Sequence, residues 1–384
     1  MTQVRIPAAF IRGGTSKGVF FHERHLPKDR MARDRIFLEA IGSPDPYGRQ
    51  LNGMGGGVSS VSKVVIIAPS KRDDADIDYT FVQIGVTEPV VDYDSMCGNL
   101  SSAVGPFAVD EGLVPATEGE ALVRVFNTNT KKVYHARFPV AGGQAVVTGN
   151  QAIPGVAGFG ARVALEYFDP AGSRTVGLFP TGRVRETLDL PDGTSVDATL
   201  IDATNPIVIV AAADFGLDVT ERPEAIEART QICERLEMAR RLAGVRMGMA
   251  ETAAAVPMSV PKIVAVASPR DFEDLSGVRH PADSVDIVAR AVSMGQVHRA
   301  LPLTLSMCLA SACRIEGTIA QSFARRTAAE ADVRLGNPSG VIAAGATVER
   351  SDAPGGWSVP VCRVVRTQRR LMEGHVCVPM LPVG

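Results

Sequence analysis

The sequence predicts an α+β fold in two domains. Strand-like apolar runs are many and short, helix-like runs are few, and 37 glycines and 25 prolines punctuate them. A chain of 384 residues is also too long for one ordinary hydrophobic core. In the first half, residues 4–10, 18–21, 63–68, 79–86, 121–126, 132–137, 144–148 and 162–167 read as strands. Residues 30–41 carry Met31, Ile36, Phe37, Leu38 and Ile41 along a helical pattern. Residues 100–111 are mostly small and apolar, which predicts a helix covered on all sides. A turn-rich break runs from Phe168-Asp-Pro-Ala-Gly to Pro180-Thr-Gly-Arg and sets the domains at 1–183 and 184–371. Beyond it, residues 198–201, 206–211, 262–267 and 341–348 read as strands, and 223–242 as a charged, amphipathic surface helix. Residues 298–313 read as a second buried helix. One apolar helix inside a shell of strands in each half points to an ancient duplication.

Bulk composition narrows the function. Hydrophobic residues make up 45% and charged residues 21%, a globular rather than disordered balance. A formal net charge of −2 gives no electrostatic support for a nucleic-acid or anionic-membrane partner. Cysteines at 97, 233, 308, 313, 362 and 377 form no Cys-x-x-Cys pair, and the six histidines form no His-x-x-x-His pair, so no metal pattern emerges. With no signal-like leader and no apolar run of ~20 residues, the expectation is a cytoplasmic protein with free thiols.

Two glycine-rich segments each hold one reactive side chain. Leu51-Asn-Gly-Met-Gly-Gly-Gly-Val-Ser-Ser-Val-Ser-Lys63 runs directly into Val-Val-Ile-Ile-Ala. Only seven of 40 basic residues are lysine, so a lysine at the mouth of an apolar strand stands out. There desolvation favours the neutral amine, the form that accepts a proton. The alternative for Lys63 is a solvated lysine at a strand start. The second segment reads Asp94-Ser-Met-Cys97-Gly-Asn-Leu-Ser-Ser-Ala-Val-Gly-Pro-Phe. A thiol just before a helix is acidified by the dipole and by free amides. Its alternative is a small buried hydrophobe, the common fate of a free cysteine. An activated amine and an activated thiol together suggest proton transfer at carbon.

Other motifs fail on spacing. Gly13-Gly-Thr-Ser-Lys-Gly18 lacks the Gly-Lys-Ser/Thr of a phosphate loop. Gly53-Met-Gly-Gly-Gly57 leads into a strand rather than a helix, so it is no dinucleotide fingerprint. The Met and Cys residues of 306–313 read as core packing.

Several motifs resemble the PrpF family, which contains 2-methylaconitate cis-trans isomerases and relatives acting on aconitate, methylitaconate and oxalomesaconate. They are Arg12-Gly-Gly-Thr-Ser-Lys-Gly18, Gly42-Ser-Pro-Asp-Pro46, Asn52-Gly-Met-Gly-Gly56 with Ser62-Lys63, and Cys97-Gly-Asn99. Phe179-Pro-Thr-Gly182, Arg246-Met-Gly248, Pro261-Lys262, Ser293-Met-Gly295, His298-Arg-Ala300, Asn337-Pro-Ser-Gly340 and Leu371-Met-Glu-Gly374 continue the resemblance over nearly the whole chain in order. It implies a diaminopimelate-epimerase-like fold: two pseudo-symmetric domains, each a curved, mostly antiparallel sheet around a central helix. The tail 372–384 is then expected to return to the first domain. The site is expected in the cleft between domains, with Lys63 and Cys97 facing each other across it. In the epimerases two cysteines oppose each other; here the second-half counterpart falls within residues 299–304, which hold no cysteine, and Cys308 is expected in the core. Met96 stands where Asn is usual before Cys-Gly-Asn, and Asn337 replaces the usual His of His-Pro-Ser-Gly. Val58-Ser-Ser-Val-Ser62 looks more like the 2-methylaconitate branch than the oxalomesaconate branch.

The resemblance implies a cofactor-independent isomerase of a small unsaturated tricarboxylate, with 2-methylaconitate of propionate catabolism favoured. Aconitate or oxalomesaconate allylic isomerisation is the alternative within the class. A C–H beside a carboxylate and an alkene is weakly acidic, so a base removes its proton while donors hold the dienolate; neither metal nor redox cofactor is required. Lys63 is the candidate base and Cys97 its partner. Three carboxylates call for many donors: Arg12, Thr15, Ser16 and Lys17 in a glycine-rich turn, the amides of Gly98, Asn99 and Leu100, and His298, Arg299 and Ser339 from the second half. Lys17 would also lower the pKa of Lys63 if the fold brought the two together. The implied partners are the substrate itself, an aconitase-like 2-methylcitrate dehydratase and, open at this stage, a second copy in a homodimer. A reading from another class is a non-catalytic tricarboxylate-binding accessory protein to that dehydratase. An amino-acid epimerase would need a second active-site cysteine.

Overall fold

Alternating burial along the strands decides which side chains reach which helix, and this sets the architecture. The computed structural model describes residues 3–93 and 96–379; Asp94 and Ser95 of the cysteine segment, and 380–384 of the tail, lie outside the described residues. The chain forms two units, one running to Glu166 and resuming at Val365, the other Tyr167–Val364.

The first unit is built on strands β1 (Gln3–Gly13), β2 (Ser16–His22), β3 (Lys63–Pro69), β4 (Ile77–Ile84), β5 (Gly119–Asn127) and β6 (Lys132–Ala141), with helices α1 (Arg30–Ile41) and α2 (Ser101–Asp110). β1 pairs antiparallel with β2 and, on its other edge, with the C-terminal strand Gln368–Pro379. β2–β3 is parallel, β3–β4 antiparallel, β4–β5 parallel and β5–β6 antiparallel. α1 begins where the Asp29 carboxylate accepts the Ala32 amide at 2.7 Å and ends at left-handed Gly42. Its Phe37, Ala40 and Ile41 pack on Val19, Phe21, Val64, Ile66, Val82 and Ile84. The alternate residues therefore face the other way, toward α2, whose side chains are buried from Ser101 to Val109. Phe20 meets Phe107 of α2 at 5.5 Å between ring centroids, and the Tyr134 hydroxyl donates to the Ser101 carbonyl at 3.1 Å.

The second unit repeats this order of strand directions. Its strands are β7 (Glu186–Asp189), β8 (Ser195–Asp202), β9 (Pro206–Ala211), β10 (Lys262–Ala267), β11 (Ile287–Ser293), β12 (Val333–Asn337), β13 (Gly340–Arg350) and β14 (Trp357–Arg366); its longer helices are α3 (Thr230–Arg246) and α4 (Leu303–Arg314). β7–β8 and β8–β9 are antiparallel, β9–β10 parallel, β10–β11 antiparallel, β11–β12 parallel, and β12–β13 and β13–β14 antiparallel. One ion pair is duplicated as well. The Arg124 amide donates to Asp76 at 2.8 Å and its guanidinium reaches that carboxylate at 2.7 Å. Arg334 does the same to Asp286 at 2.8 and 2.7 Å. Both pairs are 48 residues apart in sequence.

Three expected elements change. The expected surface helix is split into Pro223–Glu227 and α3, because the Arg229 backbone leaves the helical region at φ −92°, ψ 71°. α4 starts at Leu303 rather than 298, since Pro302 sits extended at its N-cap. The expected strand at 144–148 is reduced to Gln144–Ala145. No helix among the described residues is long and apolar enough to cross a membrane.

The duplicated ion pairs are buried to different depths: the Asp286 side chain is 1% exposed and that of Asp76 29%. Asp286→Ala, which strands the Arg334 guanidinium and the Arg334 backbone amide, is expected to destabilise the fold by about 3 kcal/mol in chemical denaturation. Asp76→Ala is expected to cost about 1 kcal/mol; equal losses would contradict this assignment.

Candidate functional site

Lys63 opens β3 and is only 8% exposed. Its ammonium donates to the Gln83 side-chain carbonyl and lies 5.0 Å from the centroid of the Phe81 ring. Gln83 is held in turn, its amide donating to the Ser62 carbonyl at 2.9 Å. The glycine-rich segment before Lys63 is a knitted loop. Gln50 Oε1 accepts from the Gly57 amide at 2.9 Å and from the buried Ser62 hydroxyl at 2.7 Å. At Gly53 an added Cβ would stand 2.1 Å from the Gly42 nitrogen, so only glycine lets this loop lie against the end of α1.

Cys97 lies one turn before α2 and is 9% exposed. Its Sγ donates to Ser16 Oγ at 3.8 Å, and its carbonyl accepts from the Ser101 amide at 3.1 Å and the Tyr79 hydroxyl at 3.4 Å. Asn99 Nδ2 donates to Thr15 Oγ1 at 3.0 Å, while Asn99 Oδ1 accepts from Arg366 at 3.3 Å. Among the described residues, the amides of Gly98, Asn99 and Leu100 donate no hydrogen bond. They form a row of free donors at the start of α2, the feature an oxyanion needs.

Tyr79, Phe81 and Gln83 alternate along β4 and share one face. Tyr79 reaches Cys97, and Phe81 and Gln83 reach Lys63. Lys63 and Cys97 thus stand on the α2-bearing face of one sheet. Both belong to the first unit, which corrects the expectation that they oppose each other across two domains. Ser16, Thr15, Gly98, Asn99 and Leu100 gather at the same edge. Lys17 does not: it alternates with Ser16, and its Nζ lies 5.6 Å from the centroid of Phe10, a residue packed against the α1-side core. Arg12 Nη1 donates to the carbonyls of Gly14 at 2.9 Å and Thr367 at 3.1 Å, which makes Arg12 a brace of the turn.

His298, Arg299 and Ser339 lie in the second unit. The Arg299 guanidinium is engaged by Glu227 at 2.6 Å and Glu224 at 2.9 Å, and Ser339 Oγ donates to the Arg299 carbonyl at 2.6 Å. Asn337 is buried and closes the turn into β13, donating to Gly340 O at 2.9 Å and accepting the Ser339 amide at 3.1 Å. Its role is local. Cys308 is fully buried, and burial pushes its thiol well above the ordinary range. His298 Nε2 lies 2.8 Å from Ser293 Oγ, which also accepts from Lys262 at 3.2 Å. Lys262, read from the sequence only as part of a motif and as a strand start, was not among the candidate site residues, although its place before Ile-Val-Ala-Val-Ala mirrors Lys63 before Val-Val-Ile-Ile-Ala. Burial, with Arg240 nearby, lowers Lys262 to about 8; burial and Lys262 together lower His298 to about 4.

A cleft of about 680 Å³ in the first unit is lined by Glu39, Gly42, Asp45, Tyr47 and Asn52 and contains neither Lys63 nor Cys97. Its lining combines the end of α1 with the loop that follows and carries the carboxylates of Glu39 and Asp45. Among the described residues no group of three His, Cys, Asp or Glu side chains is gathered as a metal requires.

The family described as PrpF protein matches residues 3–379. A 3-methylitaconate isomerase of Eubacterium barkeri is 40% identical over 380 residues, covering 98% of each chain. A 2-methyl-aconitate isomerase of Cupriavidus necator is 40% identical over 390 residues, again covering 98% of each. The crystal structure of a methylitaconate-delta-isomerase superposes with a TM-score of 0.89 at 39% identity, covering 99% of this chain and 97% of that one. A hydroxyproline epimerase from Agrobacterium vitis shares the fold alone, with a TM-score of 0.53 at 12% identity over 99% of this chain and 94% of its own.

A folded-state value near 4 for His298 against 6.5 unfolded means that the unfolded chain binds the extra proton between those pH values. This residue's contribution to stability therefore falls as pH drops from 6.5 toward 4. In nitrogen-15 NMR the His298 ring is expected to be neutral at pH 5.5, and Lys262→Met is expected to move its titration upward by removing the neighbouring charge. A ring already cationic at pH 5.5 would contradict this.

Proposed function

The chain belongs to the PrpF family, and from that premise we propose that this isomerase acts on a small unsaturated tricarboxylate, 2-methylaconitate first among them, by moving a proton at carbon. One observation carries the reading: Lys63 and Cys97 stand on one face of one sheet, beside free amides at the start of α2. In the proposed reaction the Lys63 amine takes the proton from the carbon flanked by alkene and carboxylate. The C–H electron pair enters a dienolate, whose oxygen charge is held by the amides of Gly98, Asn99 and Leu100. In the dienolate the former double bond gains single-bond character and rotates. The Cys97 thiol then returns a proton to the same carbon, and exchange with solvent restores amine and thiol. Proton return at the far carbon of the same dienolate gives an allylic shift instead. Identity of 40% to a relative named 3-methylitaconate isomerase favours keeping that second outcome in view. An aconitase-like dehydratase is the partner this reading proposes, and the cytoplasm its place, in keeping with six free thiols.

In deuterium oxide the wild type is expected to incorporate deuterium into 2-methylaconitate, followed by NMR together with the ultraviolet alkene band. Lys63→Ala and Cys97→Ala are each expected to slow this by roughly 10²–10⁴-fold with unchanged circular dichroism. The position of the label separates the two outcomes: the original carbon for cis–trans exchange, the distal carbon for an allylic shift. Tight binding of these acids by a wild type that exchanges no deuterium into any of them would replace the catalytic reading with the accessory-protein one.

A further inference from the structure

Lys63, Gln83 and Asp92 stand side by side in register. Lys63 pairs with Gln83 across β3 and β4, and Gln83 pairs on its other edge with Asp92 of the short strand Val91–Asp92. Residues paired directly across strands project from the same face of a sheet. A neutral amide side chain therefore separates the amine from a carboxylate one strand further on. Phe81, two residues before Gln83, places its ring centroid 5.0 Å from Lys63 Nζ.

Hydrogen bonding decides which end of that amide meets the amine. Gln83 Nε2 donates to the carbonyls of Ser62 at 2.9 Å, Ser59 at 3.2 Å and Ile84 at 3.2 Å. Turned over, the amide would set its oxygen against three carbonyls and its NH2 against an ammonium, so only one orientation satisfies the network. Gln83 Oε1 is thereby left to accept from Lys63 Nζ. Ser59 and Ser62 belong to the segment that leads into Lys63, and the Ser62 carbonyl also accepts the Ile84 amide at 3.0 Å. Loop, amide and amine are thus tied to one another. A carbonyl accepts from an ammonium and from a neutral amine alike, whereas a carboxylate in its place would favour the ammonium. Among the described residues, the titratable groups facing Lys63 from neighbouring elements are Tyr79 of β4, Cys97 before α2 and Asp92; Lys17 of β2 turns to the other face.

We infer that Gln83 is a positioning residue for the proton transfer: its side-chain carbonyl fixes the direction of the Lys63 amine through gain and loss of a proton and supplies no counter-charge. The role in proton transfer rests on the function proposed above; the hold on the amine does not.

Isomerisation of 2-methylaconitate and deuterium incorporation are followed from pH 6 to 10 for the wild type, Gln83→Glu and Gln83→Met. In Gln83→Glu the acidic limb of kcat/KM is expected about 1–2 pH units above that of the wild type, because the new carboxylate favours the ammonium. Activity is then about 10–100-fold lower below both limbs and is regained above them. Gln83→Met, which keeps the bulk and removes the acceptor, is expected to lower kcat about 10-fold with KM changed less than about 2-fold and no upward move of the limb. Carbamylation by cyanate, which requires the neutral amine, reads the same property without catalysis. By peptide mass spectrometry at pH 8, labelling of Lys63 relative to exposed Lys28 and Lys71 is expected to fall about 10-fold in Gln83→Glu. A limb and a labelling ratio both unmoved in Gln83→Glu, with activity lowered equally at every pH, would mark a purely structural role and overturn the assignment. So would an unchanged kcat in Gln83→Met, and if Gln83→Glu does not fold, kcat and KM of Gln83→Met decide alone. Labelling that falls in Gln83→Glu, while the wild type exchanges no deuterium into any acid, keeps the hold on the amine and removes the proposed reaction. A wild type that isomerises 2-methylaconitate, with limb and labelling indifferent to Gln83→Glu, keeps the reaction and removes the positioning role.

Discussion

Glycine-lined backbone contact is the constraint on which the first unit's chemistry depends. A Cβ at Gly18 would stand 2.8 Å from the Lys63 carbonyl and 3.1 Å from the Leu100 side chain, so the strand bearing Ser16, the strand bearing Lys63 and the turn before α2 meet at one glycine. Gly13 and Gly14 do the same for Asn99, whose carbonyl and side-chain oxygens would lie 2.7 and 2.3 Å from their added Cβ atoms. Gly14 is left-handed in addition, at φ 51°. Any side chain at these positions pushes the cysteine turn off the sheet edge. The reactive groups are thus placed by what the neighbouring residues lack.

The second constraint is repetition. Both units carry the same order of parallel and antiparallel strands, the same Asp–Arg brace across the second parallel pair, and a lysine opening the central strand. What differs is the company of each lysine. Lys63 meets an amide side chain and an aromatic face, with a thiol and unused amides at the same edge. Lys262 meets the Ser293 hydroxyl, which in turn meets His298. Divergence of the neighbours gives the two lysines different surroundings. Residues 299–304 of the second unit hold no cysteine.

Much of this was legible in the sequence, for identifiable reasons. α1 and α2 stand close to where spacing and composition placed them, because Asp29 and Gly42 mark the ends of one and uninterrupted small residues define the other. Lys63 and Cys97 were visible because each sits in a local pattern: glycine loop to strand, and turn to helix. Strand parity relative to the two helices was not visible. Lys17 and Ser16 are neighbours in sequence, yet only register shows that one faces α1 and the other α2. β11 was missed because Arg290 interrupts Ile-Val-Ala-Arg-Ala-Val-Ser, although that arginine is buried and bonded to backbone carbonyls. Lys262 was not singled out as a site residue because Ser293, the last residue of β11, and His298 beyond it come 31 and 36 residues later.

Everything rests on Lys63 and Cys97 serving the same substrate molecule. A crystal structure with propane-1,2,3-tricarboxylate bound tests that directly. The account predicts one ligand backbone lying within about 3.5 Å of both Lys63 Nζ and Cys97 Sγ, with a carboxylate on the amides of Gly98, Asn99 and Leu100. A ligand that binds with full occupancy and touches only one of the two side chains, or neither, would contradict it.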